Sequence, residues 1–103
     1  MKRAVWFSAQ AETDLESIGD AIAERNPLRA QIFVFELAQS CQSLDGMADR
    51  FQAVPRYPGV RRRVHGNYLI FYRTSPDSVE IPHILQGAMD YEGILFPEAE
   101  NGS

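Results

Sequence analysis

The first half of the chain combines a short apolar run with a long stretch of helical periodicity. The run Ala4–Phe7 predicts a strand, and Ser8 directly after it can accept the N-cap hydrogen bond of a helix. Apolar residues then recur at steps of four and three, which places them on one face of a helix: Ala11, Leu15, Ile18 and Ile22. The helix should end at Asn26, because proline disfavours a helical conformation in the residue before it.

A second helix is predicted to follow at once. Pro27 suits the first position of a helix, and Asn26 suits its N-cap. One stripe of this helix is apolar: Ala30, Phe33, Val34, Leu37, Cys41 and Leu44. The pattern stops at Gly46, so residues 9–45 form a predicted helical hairpin with a tight corner. Because each helix is apolar on one side only, the hairpin must pack on another layer.

The second half of the chain has the alternation and the turn residues of a β-meander. Residues 47–59 lose periodicity and hold Pro55, Pro58 and Gly59, which predicts a surface loop. Three strands are predicted after it, with turns at Gly66-Asn67 and Pro76-Asp77: Val60–His65, Tyr68–Thr74 and Val79–Gln86. The middle strand is apolar on both faces, as expected for a sheet covered on both sides. Pro82 cannot donate to a ladder, so the last strand should be an edge or bulged there.

These elements predict an α+β fold in which a helical hairpin packs on one face of a curved, mainly antiparallel sheet. We expect one domain at residues 1–96, with a helical turn at residues 90–95, and a polar, flexible C-terminal tail at residues 97–103. No secretory signal is evident, and no apolar run approaches the roughly 20 residues that a membrane helix needs. A soluble, cytoplasmic protein is therefore expected.

The net charge of −4 hides a strong segregation along the chain. From Glu12 to Asp49 there are eight acidic residues and only two arginines. From residue 50 to residue 76 there is no acidic residue and no lysine, but there are six arginines: Arg50, Arg56, Arg61, Arg62, Arg63 and Arg73. Arginine binds carboxylates and phosphates through a rigid fork, so the cluster favours a docking surface for acidic groups. The alternative is a solubilising edge strand that prevents aggregation of the sheet.

Few residues suggest catalysis or a metal site. The single cysteine, Cys41, excludes an internal disulfide and a multi-cysteine metal site, and its place on the apolar stripe predicts a core side chain. His65 and His83 lie in no hydrolase motif with a serine or cysteine nucleophile. Asp14 and Glu16 are two residues apart on a helix and do not face each other, so we interpret them as a solvated face. We expect no cofactor and no bound metal.

Three segments resemble the ParE branch of the ParE/RelE superfamily of bacterial toxins. Residues 66–73, GNYLIFYR, resemble its G-x-Y-x-I-x-Y-R strand, and residues 79–81 its partner strand. Residues 84–90, ILQGAMD, are similar to its hydrophobic-L-H-G-x-R-D ending. Residues 7–18, FSAQAETDLESI, resemble its S-P-x-A-x-x-D-L-x-x-I opening of the first helix. The match runs from about Val5 to Ile94, and it is supported by the occurrence of these three segments in the same order as in the family.

This resemblance implies a RelE-like fold and the toxin half of a bacterial type II toxin–antitoxin pair. It implies a co-expressed ParD-like antitoxin in a hetero-oligomer, 2:2 or larger, and inhibition of DNA gyrase. We expect the antitoxin to bind these residues: Arg61, Arg62, Arg63, Arg73, Phe33 and Leu37. We expect the target to bind these: Gln86, Met89, Asp90, Tyr91 and Leu95. Sequence-specific DNA binding by this chain alone, and membrane binding, are not expected.

The chain departs from the family pattern after its last strand. Gln86 replaces the usual histidine, and Met89 stands where the family has arginine. RelE members cut ribosome-bound mRNA and need cations there to stabilise the transition state; here Tyr91 is present, but Asp90 would repel phosphate. We therefore expect a toxin that is not an enzyme. The alternatives are a RelE-like ribosome-dependent mRNA endoribonuclease and a non-toxic module that only binds the antitoxin.

Overall fold

The computed structural model describes residues 2–87, and these form two layers, with helices on one face of a five-stranded sheet. The elements in chain order are β1 (Ala4–Phe7), α1 (Ala9–Ala23), α2 (Pro27–Gln42), α3 (Leu44–Met47), a 3₁₀ turn (Ala48–Arg50), β2 (Gln52–Ala53), β3 (Val60–His65), β4 (Tyr68–Thr74) and β5 (Ser78–Gln86). The predicted helical turn at residues 90–95 and the tail at residues 97–103 lie outside the described residues.

Both long helices begin where the sequence predicts. The Ser8 hydroxyl accepts a hydrogen bond from the Ala11 N–H at 2.9 Å, and the Asn26 side chain accepts one from the Arg29 N–H at 3.0 Å. Pro27 is the first residue of α2. The two caps satisfy backbone donors that a helix N-terminus leaves unpaired, and they fix the tight corner between α1 and α2.

The end of α2 differs from the prediction. The helix ends at Gln42 rather than continuing to residue 45, and the residues after it form the short α3. The cause is competition for the last carbonyl groups of the helix. The Ser43 hydroxyl donates to the Ser40 carbonyl oxygen at 2.9 Å, and the Arg63 guanidinium donates to the same oxygen at 2.8 Å.

The sheet is mainly antiparallel, as predicted, with the strand order β1-β5-β4-β3-β2. β1 pairs with β5 in parallel, and the other pairs are antiparallel. β2 lies within the predicted loop at residues 47–59 and pairs with Arg61 and Arg62. The loop prediction was therefore wrong in part, because the backbone of β3 offers free hydrogen-bonding groups that this segment satisfies.

The core has two parts, one on each face of the sheet. The larger part lies between the helices and the sheet: Ala11, Ile18, Leu37, Cys41, Leu44, Ala48, Ile70, Tyr72, Val79, Ile81 and Ile84. The smaller part lies on the opposite face, here named the outer face: Val54, Val60, Leu69, Phe71 and Leu85, with Tyr57 packed against them. Tyr72 and Phe71 are both fully buried, so β4 is covered on both faces as the sequence predicts.

Pro82 stands at an irregular place in β5. β1 ends at Phe7, which pairs with Ile81, so no described strand flanks β5 on that side from Pro82 onward. On the other side the register with β4 shifts, so that Ile81 and Pro82 lie opposite the single residue Tyr72. The edge and the bulge predicted for a proline in this strand are both confirmed.

Candidate partner-binding site

The three consecutive arginines of β3 are divided between the two faces of the sheet. Arg61 and Arg63 lie on the face covered by the helices. Arg62 lies on the outer face, in register with the buried Phe71. This alternation was predicted, because successive side chains of a strand point to opposite faces. The cluster therefore forms two separate groups rather than one patch.

Arg63 holds the C-terminal end of α2. Its guanidinium donates to the Ser40 carbonyl at 2.8 Å and to Ser43 Oγ at 2.5 Å, and it lies 4.8 Å from the centre of the Phe51 ring. Charge-assisted hydrogen bonds and cation–π contacts stabilise a fold by about 0.5–3 kcal/mol each. The side chain predicted to bind the antitoxin thus has a structural role inside the protein.

Arg61 and Tyr72 fasten the segment that follows α3. The Arg61 guanidinium donates to the Phe51 carbonyl at 2.6 Å, and the Tyr72 hydroxyl donates to the Ala48 carbonyl at 2.6 Å. Burial raises the pKa of Tyr72 to about 12, with the charge of Arg61 opposing the shift. The phenol therefore keeps its proton at neutral pH and remains a donor. Together these bonds hold the 3₁₀ turn against the sheet.

The outer face presents cationic and apolar side chains to solvent. Arg73 is exposed, and its guanidinium lies 3.8 Å from the Glu80 carboxylate, which is too far for a hydrogen bond. Arg62 is half-buried on the same face. Trp6 on β1 and Val64 on β3 are exposed large apolar side chains on the same face. Of the arginines assigned to the antitoxin, Arg62 and Arg73 are thus the two that lie on an open surface.

The two apolar residues assigned to the antitoxin are placed differently. Leu37 is fully buried in the larger core, so that assignment is corrected: its side chain offers no surface to a partner. Phe33 is half-buried, with its ring centroid 5.5 Å from that of His65 and 5.6 Å from that of Tyr68. His65 in turn shares a 2.7 Å hydrogen bond with Ser40. Phe33 therefore packs α2 against β3 and β4 and keeps only part of its surface open.

α2 has a second apolar stripe that sequence reasoning missed. Leu28, Ile32 and Phe35 recur at steps of four and three on the solvent side of the helix, and they are 67%, 46% and 64% exposed. The signal in the sequence was this spacing, which runs beside the more continuous stripe of core residues. A stripe of this kind is the expected feature of a helix that binds a partner.

The exposed stripe adjoins a groove of about 700 Å³ between α1 and α2. Most of the groove is lined by apolar residues or glycine: Leu15, Gly19, Ala23, Pro27, Ala30, Val34 and Phe35. Glu12 and Glu16 supply two carboxylates. A Cβ at Gly19 would lie 3.0 Å from Val34 Cγ2, so glycine lets the two helices approach closely here. An open apolar groove of this shape can accept a facing amphipathic helix.

Asp14 is an inward-facing carboxylate, which corrects its interpretation as a solvated residue. Its side chain is 12% exposed, and Oδ2 accepts a hydrogen bond from the Ile84 N–H at 3.0 Å. The same oxygen lies 3.4 Å from His83 Nδ1, close enough for an ion pair when the imidazole is protonated, but not aligned for a hydrogen bond. Because β1 stops at Phe7, this N–H has no strand partner, and Asp14 takes the place of one.

The predicted target-binding segment begins at the end of β5. Gln86 is exposed and pairs in register with Tyr68, and the Gly87 N–H donates to the Asn67 carbonyl at 2.8 Å. The other residues assigned to the target lie outside the described part of the chain: Met89, Asp90, Tyr91 and Leu95. Their contact with a target stays a prediction.

Residues 2–87 contain no group of three or more His, Cys, Asp and Glu side chains that could hold a metal ion. The same residues include no helix with the length and apolar character needed to cross a membrane. Cys41 is fully buried, as predicted, and burial raises the pKa of its thiol to about 12, with Arg63 opposing the shift. Such a thiol carries almost no thiolate at neutral pH. The groove and the outer face are the described features best suited to function.

Solved structures share this fold. The chain is similar to the chromosomal ParDE toxin–antitoxin system from P. aeruginosa, with a TM-score of 0.72 and 20% identity over 82% of this chain and 96% of that one. It is similar to the RelBE2 toxin–antitoxin complex from Mycobacterium tuberculosis, with a TM-score of 0.65 and 18% identity over 84% and 99%. It is also similar to the E. coli DinJ–YafQ toxin–antitoxin complex, with a TM-score of 0.55 and 11% identity over 93% of this chain and 99% of that one. These similarities establish a RelE-like fold.

A comparison with curated proteins found no match. The family profile of the ParE toxin of the type II toxin–antitoxin system parDE matches residues 5–91. That span contains all of β1 except Ala4, both long helices, the β3–β5 meander and all three segments on which the resemblance in the sequence rests. The chain belongs to the ParE toxin family of type II toxin–antitoxin systems.

Proposed function

We propose that this protein is a bacterial toxin that a ParD-like antitoxin neutralises in the cytoplasm, and that it arrests growth by inhibiting DNA gyrase without catalysing a reaction. The family match over residues 5–91 is the observation that carries the proposal. The similar P. aeruginosa and M. tuberculosis structures come from a ParDE system and a toxin–antitoxin complex, which supports a protein partner for this chain.

The groove between α1 and α2 is the proposed docking site for an amphipathic helix of the antitoxin. Leu28, Ile32 and Phe35 form an exposed row with the spacing that the apolar stripe of a facing helix can match. Glu12 and Glu16 favour an antitoxin helix that carries basic residues beside its apolar stripe. Burying this row removes a continuous apolar surface from water, which favours a lasting complex.

Co-elution tests this docking. The chain and the product of the adjacent gene, purified separately, should co-elute at micromolar concentration. Replacing both Ile32 and Phe35 with serine should weaken binding by about 100-fold or more, because apolar side chains buried at an interface contribute about 2 kcal/mol each. Ser17→Ala, at an exposed position of α1 outside the groove, is the control and should retain binding. Failure of the wild-type proteins to co-elute would contradict the proposed partner.

Gyrase is favoured over ribosome-bound mRNA by the charges near the end of the chain. Residues 87–91, GAMDY, hold no cation that could stabilise a phosphorane-like transition state, and Asp90 would repel phosphate. Purified protein should therefore leave ribosome-bound mRNA intact. Cleavage that is lost in Tyr91→Phe or Arg73→Ala would instead assign a RelE-like endoribonuclease.

Expression without the antitoxin separates a toxin from an inactive binding module. We expect growth arrest, whereas normal growth with full antitoxin binding would assign a non-toxic module. Removal of all residues after Gly87 should abolish the arrest, because it deletes most of the predicted target segment. The shortened chain should still co-elute with the antitoxin, since the groove lies entirely on α1 and α2.

A further inference from the structure

The segment that covers the outer face is built from two turns of the same kind in succession. In the turn at residues 54–57 the Tyr57 N–H donates to the Val54 carbonyl at 3.2 Å. In the turn at residues 57–60 the Val60 N–H donates to the Tyr57 carbonyl, also at 3.2 Å. Each turn has proline as its second residue. Proline at this position is typical of a type II turn when the third residue has a positive φ.

The third residue is glycine in one turn and arginine in the other. Gly59 has φ of 86°, a conformation that glycine adopts without a steric penalty. Arg56 has φ of 73°, and it is the one residue with a side chain in this region among residues 2–87. An L side chain in the left-handed region is strained, so the fold itself favours glycine at position 56 as at position 59.

Nothing inside the described protein compensates this strain through the side chain. Arg56 is exposed, and its guanidinium makes no hydrogen bond, ion pair or ring contact with residues 2–87. Arg61 and Arg63 differ in this respect, since both donate to backbone carbonyls under the helices. A strained residue with no internal role points to a role in binding.

The turn that carries Arg56 is attached to the outer face by its neighbours. Val54 and Tyr57 on either side of Arg56 pack into the outer-face cluster, so the guanidinium projects from an anchored backbone. Arg62 and Arg73 lie on that face of the neighbouring strands. Among the described strand residues of the outer face, Glu80 is the one carboxylate, and it lies near Arg73.

We propose that Arg56 is a docking residue that binds a carboxylate in an acidic segment of the antitoxin. This inference rests on the proposed function and adds a second contact region on the face opposite the groove. An arginine fork matches a carboxylate in geometry and charge. A disordered acidic segment that leaves the groove could reach round to the outer face as it folds on the toxin.

The test compares Arg56→Gly with wild type in two measurements, using the purified product of the adjacent gene as the probe. Glycine should raise the melting temperature of the free toxin by about 2–6 °C, because strain is relieved. The same change should weaken antitoxin binding by about tenfold and reduce its dependence on salt. Lys2→Ala removes an exposed cation just before β1, at the edge of the sheet farthest from β2, and is the control; it should change affinity less than twofold.

Each other outcome identifies what is wrong. A melting temperature that falls in Arg56→Gly would contradict the strain, and unchanged affinity would contradict the docking role while leaving the toxin assignment intact. If Arg56→Gly binds the antitoxin as tightly as wild type but no longer arrests growth, Arg56 binds an anionic group of the target rather than of the antitoxin. If the wild-type toxin does not bind the probe at all, the proposed function fails and this inference fails with it.

Discussion

Arginines on the two faces of the sheet have opposite roles. On the face under the helices, Arg61 and Arg63 donate to carbonyl groups of residues 40–51 and are part of the fold. On the outer face, Arg73 and Arg56 are exposed and make little or no contact within the described protein. The difference shows that a cationic run in a sequence is not one surface. The direction of each side chain decides whether its charge stabilises the fold or remains available to a partner.

The largest expected effect is on the helix side. Arg63→Ala should lower the free energy of unfolding by about 2–4 kcal/mol, because it removes bonds to Ser40 and Ser43 and the contact with Phe51. Urea unfolding followed by circular dichroism measures this loss. Arg73→Ala, its counterpart on the outer face, should cost no more than about 1 kcal/mol. Equal losses in the two variants would remove the distinction between the faces.

Two carboxylates on α1 should also differ in their contribution to stability, because Asp14 faces inward and Glu16 faces solvent. Asp14→Ala should lower the free energy of unfolding by about 1–3 kcal/mol, since the Ile84 N–H would lose its acceptor in a poorly hydrated place. Glu16→Ala, at an exposed position two residues away, should change it by less than about 0.5 kcal/mol. Urea unfolding of both variants at neutral pH provides the measurement. A larger loss in Glu16→Ala would contradict the inward role of Asp14.

The buried thiol gives a pH-dependent test of the helix side. Burial raises the pKa of Cys41 from 9.0 to about 12, so the folded protein holds this proton more tightly than the unfolded chain. The resulting stability is complete below pH 9 and is lost as pH rises towards 12. At pH 10 the loss from this group should be about 1.4 kcal/mol. Cys41→Ala should unfold with a smaller difference between pH 8 and pH 10, and an unchanged difference would contradict the burial.

The smallest effect on stability should accompany a measurable effect on binding. Arg73→Glu should change the free energy of unfolding by no more than about 1 kcal/mol, because its pair with Glu80 is exposed. It should nevertheless weaken antitoxin binding by about tenfold if the outer face receives acidic side chains. Charge reversal at Arg61 and Arg63 is less informative, because unfolding would lower binding for an unrelated reason. Isothermal titration of folded Arg73→Glu measures the effect directly.

The sequence predicts the fold well because its signals are local. The caps at Ser8 and Asn26, the strands and the irregularity at Pro82 depend on nearest neighbours and on side-chain alternation. The inward orientation of the Asp14 side chain could not be predicted, because its hydrogen-bond partner Ile84 lies 70 residues away in the sequence. The division of the arginines was partly predictable from strand parity, but which face the helices cover depends on packing across the whole chain.

The partner surface was harder to predict than the core. Leu37 lies on the strongest apolar stripe of its helix, which is the reason it is buried and unable to contact a partner. The exposed row that includes Phe35 has the same spacing and differs only in the side of the helix it occupies. Periodicity identifies apolar faces, but it does not state which of two faces the rest of the chain covers.

DNA supercoiling by purified gyrase is the measurement that tests the proposed function most directly. The free toxin should inhibit supercoiling in a dose-dependent way, and prior addition of the antitoxin should restore it. The toxin shortened after Gly87 should have no effect, although it still binds the antitoxin. Undisturbed supercoiling at a large molar excess of full-length toxin, together with growth arrest in cells, would contradict gyrase as the target.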